Sequence, residues 1–381
     1  MKKISESQAL DILRDLIAIK SVNDNEKDVA NYLKDLLAKY GIEAEIKPIR
    51  GNRANLTAEI GQGKPILGVS GHMDVVDPGN LNDWNSDPFE MTEKDEKLFG
   101  RGITDMKSGL AALIITLIEL HNQGLPKKGT IRLMATMGEE VGEEGSSYFL
   151  KDGSMKDVDG LVIAEPSGYN IGYGEKGSMD IKFISKGKAS HSSMPEDGFN
   201  AIDALMNLLI EANDIFRDEN IKKDSMGPLI FNTTLIKGGT QVNSIPDYAQ
   251  AEANVRTIPE YDNQKVIAVL HNLIEKYNNQ GAQISTDIYM NEGPVLMDPK
   301  NSLVQPMKKL MEEYASDDIN IMPISAVTDA SNLVQEKPSD FPFIIAGPGN
   351  DTPHQVNESL DKQMYFNFIE MYQKLFIDFL K

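Results

Sequence analysis

Short, continuously apolar runs recur along this chain, and each is followed closely by polar side chains that could carry chemistry. Three of these runs are residues 66–70, 160–164 and 343–346. Apolar runs of four to eight residues are typical of strands that are buried on both faces of a parallel sheet. Helical patterns separate the runs, such as the apolar segment 108–120. The sequence therefore predicts an α/β fold with a mixed, mainly parallel sheet.

The middle of the chain has a different pattern. Three segments there alternate apolar and polar side chains with a period of two: 178–187, 230–237 and 249–256. Such alternation is typical of half-exposed antiparallel strands, and helical patterns lie between and after them. With 381 residues, the chain is longer than one ordinary hydrophobic core supports. We therefore predict a βαββα-like α+β insert at residues 176–291, inside an α/β domain that combines residues 1–175 and 292–381.

Composition limits the possible chemistry and partners. The chain has no cysteine, so any metal ion must be held by His, Asp and Glu side chains. The formal net charge of −20 argues against a nucleic-acid partner, because phosphate binding requires clustered Lys and Arg. No apolar run is long enough to span a bilayer, and the first residues lack the apolar stretch of a signal peptide. We expect a cytoplasmic protein without a membrane partner.

Candidate metal ligands come directly after predicted buried strands. They are His72, the pair Glu139-Glu140, Glu165 and His354. A further carboxylate, Asp105, lies in a glycine-rich loop just before a helix. Sites in open α/β sheets form beyond the carboxyl ends of strands, so these residues can converge although they are far apart in the chain. Two histidines and several carboxylates suit zinc or a similar divalent ion.

The spacing of these residues also suggests distinct roles. An aspartate that uses both oxygens can bridge two metal ions. Asp74, two residues after His72, is placed to accept the second ring N–H of that histidine and to fix its tautomer. In the pair Glu139-Glu140, one carboxylate can bind metal while its neighbour remains free as a general base.

Together the motifs resemble the metallopeptidase family of succinyl-diaminopimelate desuccinylase, acetylornithine deacetylase, aminoacylase and carboxypeptidase G. The segments that carry the resemblance follow one another over nearly the whole chain: His72-Met73-Asp74, Trp84…Asp87-Pro88-Phe89, Gly100-Arg101-Gly102…Asp105-Met106-Lys107, Glu139-Glu140, Glu165-Pro166, Gly187…His191 and His354. The sequence departs from the family at Gly138, where Asp is frequent, and at 326–331, which match the desuccinylase substrate loop poorly.

The resemblance implies a zinc-hydrolase catalytic domain with two Zn²⁺ ions, which Co²⁺ or Mn²⁺ could replace. One ion would be held by His72, Asp105 and Glu165. The other would be held by Asp105, Glu140 and His354. A cis peptide bond is expected after the bridging Asp105, as in relatives.

The resemblance also implies roles for residues that do not bind metal. Glu139 would be the general base, and Asp74 would orient a metal-binding histidine. The insert would be a lid that forms a homodimer, in which His191 reaches the neighbouring active site and stabilises the oxyanion. Asn243 and Arg256 match positions that bind substrate carboxylates.

The expected activity is hydrolysis of the amide bond of a small N-acyl amino acid. N-succinyl-LL-2,6-diaminopimelate is the first choice, because Arg256 suits a substrate with several carboxylates. Acetylornithine deacetylation, or a dipeptidase or carboxypeptidase activity, are alternatives within the same family. A non-catalytic metal-binding scaffold is a remote alternative, which the presence of Glu139 disfavours.

Overall fold

The computed structural model describes residues 3–218 and 226–381, and the chain divides into two compact units. The first unit combines Met1–Gly174, Met297–Met322 and Thr328–Lys381, and the second combines Glu175–Leu296 with Pro323–Val327. The predicted insert, 176–291, includes residues 219–225, which lie outside the described residues. Its roles as a lid and in dimerisation stay predictions.

The helices have the following bounds: α1 (Glu6–Ala18), α2 (Glu26–Lys39), α3 (Lys107–Asn122), α4 (Glu144–Lys151), α5 (Ala201–Phe216), α6 (Asn263–Asn278), α7 (Val304–Met311), α8 (Ala330–Leu333) and α9 (Lys362–Phe379). The strands are β1 (Ala44–Arg50), β2 (Arg53–Gln62), β3 (Ile66–His72), β4 (Thr92–Lys94), β5 (Lys97–Phe99), β6 (Gly129–Thr136), β7 (Gly160–Pro166), β8 (Ile171–Glu175), β9 (Gly177–Lys186), β10 (Ser190–His191), β11 (Ile230–Gly238), β12 (Ser244–Ile245), β13 (Tyr248–Thr257), β14 (Gln283–Glu292), β15 (Val295–Leu296), β16 (Ile321–Ile324), β17 (Phe343–Gly347) and β18 (Ser359–Asp361).

The main sheet of the first unit follows the order β1-β2-β6-β3-β7-β17-β8. Its four central strands, β6, β3, β7 and β17, run parallel, and the strands outside them run antiparallel to their neighbours. Strands β3 and β17 are buried along their whole length, which explains their continuous apolar sequences. The carboxyl ends of all four parallel strands therefore lie at one edge of the sheet.

Helix α3 crosses this sheet as the central helix of the core. Every residue from Lys107 to Leu120 is buried, so the helix is covered on all sides. It packs against α1, α9 and strand β3. Gly109 allows the close approach, because a Cβ there would lie 2.1 Å from the carbonyl oxygen of Ala164 in β7. The start of α3, and the loop before it, are thereby held beside the end of β7.

The second unit is built on an antiparallel sheet with the order β11-β13-β9-β14. Helices α5 and α6 pack against it and complete a separate hydrophobic core. Strand β14 was not predicted, because Ile284 is its only buried residue and its apolar and polar residues do not alternate regularly in the sequence. Strand β11 is an edge strand whose Leu235 and Ile236 side chains are exposed. Within the described residues, no helix is both long and apolar enough to cross a membrane.

Candidate metal centre

The fold brings the five predicted metal ligands to one edge of the main sheet. His72 is the last residue of β3, and Glu165 lies near the end of β7. Glu140 lies in the 3₁₀ turn that follows β6, and His354 lies in the segment after β17. Asp105 is in the loop before α3, which Gly109 holds against β7. One ligand atom from each of His72, Asp105 and Glu140 lies within 4.8 Å of the others.

Asp105 stands between the two histidines. Its Oδ1 lies 3.0 Å from His72 Nε2, and its Oδ2 lies 3.4 Å from His354 Nε2. His72 Nε2 is also 3.7 Å from Glu165 Oε1, whereas His354 Nε2 is 3.0 Å from Glu140 Oε2. The distances thus form two groups that share Asp105, one with His72 and Glu165 and one with His354 and Glu140. That geometry suits a carboxylate that bridges two ions, while the individual ligand roles stay predictions.

Two unusual backbone conformations occur at the cluster. The peptide bond between Asp105 and Met106 is cis, which confirms that expectation. His354 has a φ of 64°, in the left-handed region that residues with side chains rarely adopt. Positive φ angles of residues with side chains cluster at functional sites, where the surrounding structure holds them in place.

His72 is oriented by the backbone of Asp74 and not by its carboxylate. The Nδ1 atom of His72 lies 3.0 Å from the Asp74 carbonyl oxygen and 3.7 Å from its Oδ1. The contact that the sequence predicted between His72 and Asp74 is thus made through the backbone carbonyl oxygen of Asp74. The carboxylate instead accepts the backbone N–H groups of Glu139 and Glu140, at 3.3 and 3.2 Å. Asp74 thus joins the end of β3 to the turn that holds the glutamate pair.

The two glutamates of that turn differ in their partners. Glu140 pairs with His354, whereas the Glu139 carboxylate makes no ion pair within the described part of the chain. Burial raises the pKa of Glu139 well above its usual value, and the charge of nearby His72 opposes this rise. A carboxylate next to the cluster without a fixed cationic partner suits the predicted role of general base.

The donor set fits divalent cations. Hydrogen bonds to Asp105 and Glu140 raise the pKa of His354 to about 10. Burial raises the pKa of Glu165 well above its usual value, and its Oε1 atom is buried without a hydrogen-bond partner among the described residues. Buried carboxylates that outnumber the histidines are costly unless cations are present. Oxygen and imidazole ligands in this ratio match zinc and similar divalent ions.

Two further buried carboxylates near the cluster were not predicted. Asp329 accepts a hydrogen bond from Thr136 Oγ1 at 2.5 Å, and burial raises its pKa to about 6. Glu358 is fully buried and accepts hydrogen bonds from the loop that carries Asp105. Neither follows directly on a predicted buried strand, so the pattern that indicated the metal ligands gave no signal of their burial.

The remaining predicted residues lie in the second unit. Pairing of β10 with β12 places His191 opposite Ser244, and the Asn243 carbonyl accepts the Ser192 N–H at 3.0 Å. His191 is exposed, and its Nδ1 lies 2.7 Å from Ser193 Oγ. Arg256 lies near the far end of β13, paired with Ser178 of β9. The structure therefore brings His191 and Asn243 together and separates Arg256 from them.

Comparisons with known proteins give a consistent result. A sequence model of the family described as "Peptidase family M20/M25/M40" matches residues 68–378. The chain is 41% identical over 407 residues to the "Probable succinyl-diaminopimelate desuccinylase" of Staphylococcus aureus (strain MRSA252), covering 100% of both chains.

Two solved structures extend the likeness to the fold. Aminopeptidase PepT from Bacillus cereus matches with a TM-score of 0.81 at 19% identity, covering 100% of both chains. A protein from Bacillus subtilis, described as a dinuclear metal binding peptidase from the M20 family, matches with a TM-score of 0.72 at 18% identity, covering 98% of both chains. These matches confirm the predicted fold class and the resemblance inferred from the motifs.

Proposed function

Since the chain belongs to peptidase family M20/M25/M40 and is a metal-dependent hydrolase, we propose that it cleaves the amide bond of N-succinyl-LL-2,6-diaminopimelate. The observation that supports this substrate most strongly is the full-length identity of 41% to the probable desuccinylase of S. aureus. Arg256 supports it as well, because a guanidinium group suits a substrate with several carboxylates.

The proposal includes two zinc ions, for which Co²⁺ or Mn²⁺ could substitute. His72, Asp105 and Glu165 would hold one ion, and Asp105 would share the other with Glu140 and His354. When bound, such ions supply Lewis-acid polarisation of a water molecule and of the substrate carbonyl. The dinuclear description of the B. subtilis relative agrees with this stoichiometry.

Glu139 carries the proton transfers in this proposal. Its carboxylate takes a proton from the water molecule as the new C–O bond forms. It then gives this proton to the leaving nitrogen as the C–N bond breaks, so that one Glu139 side chain acts first as base and then as acid. Donors aimed at the carbonyl oxygen, among them His191, stabilise the negative charge that develops there. Succinate and the free diamine are the products.

We further propose that the active unit is a cytoplasmic homodimer formed through the second unit. His191 and Asn243 lie beyond the end of β13 that begins with Tyr248, and Arg256 lies eight residues further along the strand. Eight residues of extended strand span about 27 Å, so one small substrate cannot contact both groups of a single chain. A partner chain that supplies His191 and Asn243 removes this conflict, and the exposed edge of β11 offers a surface for pairing.

The substrate proposal can be tested with a panel of succinyl-diaminopimelate, acetylornithine and unblocked dipeptides. We expect kcat/KM to be at least tenfold higher for the succinyl substrate. EDTA should abolish this activity, and zinc should restore it. A higher kcat/KM for acetylornithine or a dipeptide would transfer the assignment to that substrate. If zinc-loaded, folded protein hydrolysed none of them, the enzymatic proposal would be rejected in favour of a non-catalytic scaffold.

A further inference from the structure

Glu358 is a buried carboxylate that makes all of its described hydrogen bonds to one loop. It lies four residues after His354 and is fully buried. Its Oε2 accepts from Arg101 Nη1 at 2.7 Å and from the Gly102 N–H at 3.0 Å. Its Oε1 accepts from the N–H groups of Thr104 at 2.8 Å and Asp105 at 3.0 Å. The backbone around Asp105 is thus folded over this carboxylate.

Each oxygen of Glu358 accepts two hydrogen bonds. A carboxylate is suited to this position because it accepts hydrogen bonds at both oxygens and donates none. A buried anion would be costly without partners, but here four donors surround it, one of them charged. The Glu358 carboxylate therefore determines the path of the loop up to Asp105.

Arg101 connects the same carboxylate to the segment that carries His354. While its Nη1 atom binds Glu358, its Nη2 atom lies 3.4 Å from the His354 carbonyl oxygen. The guanidinium group also lies over the Trp84 ring, with 5.2 Å from Cζ to the ring centroid. Asp105 and His354 come from segments about 250 residues apart, and one buried ion pair links the backbones of both.

We propose that Glu358 is a positioning residue of the metal site, which sets the separation of Asp105 from His354 through the loop backbone and Arg101. This inference rests on the proposed function, in which Asp105 bridges two ions and His354 binds one of them. Glu358 is not one of the proposed ligands and is buried behind the loop that carries Asp105, so its expected effect is on the affinity for metal. Groups that orient the ligands of a metal site typically change its affinity by 10–100-fold.

Glu358→Gln is the direct test, because the side chain keeps its size. A glutamine offers only one acceptor oxygen, so its NH₂ group must face two of the four donors in either orientation. We expect the affinity for the more weakly bound zinc ion to fall at least tenfold, as measured by competition with a chromophoric chelator. Turnover should recover as zinc is raised, with KM for the substrate unchanged.

Glu119→Gln is the matched control. Glu119 is also a buried glutamate that accepts a backbone N–H, from Ile4, but it lies 12 residues beyond Lys107 on α3, or about 18 Å along the helix. This variant should lose stability and keep wild-type zinc affinity. If Glu358→Gln binds zinc within twofold of wild type, or no more weakly than Glu119→Gln, the inference is overturned.

If Glu358→Gln does not fold, the zinc affinity of Arg101→Lys is compared with that of wild type and Glu119→Gln in its place. A lysine keeps the charge next to Glu358 but cannot reach both this carboxylate and the His354 carbonyl. Asp105→Ala in the same assay separates the inference from its premise. If wild type binds two ions and Asp105→Ala retains both, the proposed metal site is wrong, whatever Glu358→Gln does.

Discussion

The guanidinium group of Arg53 fills the space beside Gly138 that a side chain there would need, since a Cβ on Gly138 would lie 2.1 Å from Arg53 Nη2. Gly138 also has a φ of 69°, which glycine adopts without strain. Arg53 is fixed in turn by a buried ion pair with Glu26, with 2.8 Å between Nη2 and Oε1. The glycine at this position therefore has a local cause.

Gly138→Ala should lower the free energy of unfolding by roughly 1–3 kcal/mol, because it adds both the strain of a positive φ and a collision with Arg53. In an Arg53→Ala background the same substitution should cost about 1 kcal/mol less, since the collision is gone. Urea unfolding of the two single variants, the double variant and the wild type measures this coupling. Costs that simply add would show that Arg53 does not constrain position 138.

Replacing Glu139 and replacing Glu140 should have different effects on turnover and metal content. Glu139→Ala should reduce turnover at least about a hundredfold, the typical cost of a lost general base, with metal content unchanged. Glu140→Ala should lose one metal ion, because its carboxylate pairs with His354 at the site. Metal analysis and kcat on the same samples test this, with Glu313→Ala, which removes an exposed ion pair to Lys374, as the control. If Glu139→Ala lost a metal ion and Glu140→Ala kept both, Glu139 would be the metal ligand and Glu140 the general base.

Asp329 should make the metal-free protein less stable as the pH rises. Its folded pKa of about 6 exceeds the usual 3.8, so the folded protein holds the proton more tightly. The stability that this group contributes is fully present below about pH 4 and is lost as the pH passes 6. Asp329→Asn removes the buried charge and keeps an acceptor for Thr136. Relative to wild type, the variant should gain up to roughly 3 kcal/mol between pH 4 and pH 7.

Asp157→Asn provides the control for this titration. A hydrogen bond from Arg132 lowers the pKa of Asp157, so wild type gains stability over the Asn variant as the pH rises through the acidic range. Chemical denaturation at several pH values measures the stability of each variant relative to wild type. As the pH rises, the relative stability of Asp329→Asn should increase and that of Asp157→Asn should decrease. If the stability of Asp329→Asn relative to wild type did not change with pH, the raised pKa of Asp329 would be refuted.

Mixing two inactive variants tests the dimer. His191→Ala keeps the base, and Glu139→Ala keeps the histidine, so a mixed dimer has one site with both groups. Random exchange of subunits gives half mixed dimers, and activity should recover to about a quarter of the wild-type value. Separate preparations of each variant are the controls. No recovery, in samples in which mass spectrometry detects mixed dimers, would show that His191 does not act on the partner's site.

The central strands could be predicted because burial on both faces leaves a continuous apolar run, as in β3 and β17. Strand β14 has no such apolar run, because Ile284 is its only buried residue, and it was therefore not predicted. The convergence of the candidate metal ligands could be predicted because most of them closely follow such runs, while their binding of metal stays a prediction. Glu358 could not, since its burial depends on a loop about 250 residues earlier and not on its neighbours. The sequence indicated Asp74 as the partner of His72, but it could not show that the backbone carbonyl oxygen makes the contact, because the residue type does not reveal which atom accepts.

The pairing of β7 with β17 has a consequence for how the protein is made. A ribosome that adds roughly 5–20 residues per second needs on the order of 10–35 s for the about 180 residues between these strands. During that time one side of the apolar strand β7 lacks its parallel neighbour, an exposed edge of the kind that promotes aggregation. His354 emerges later still, so the proposed ion that it would help to hold could bind only after nearly the whole chain has been made. We expect nascent chains that end before Phe343 to need chaperone protection and to lack the proposed ion that requires His354.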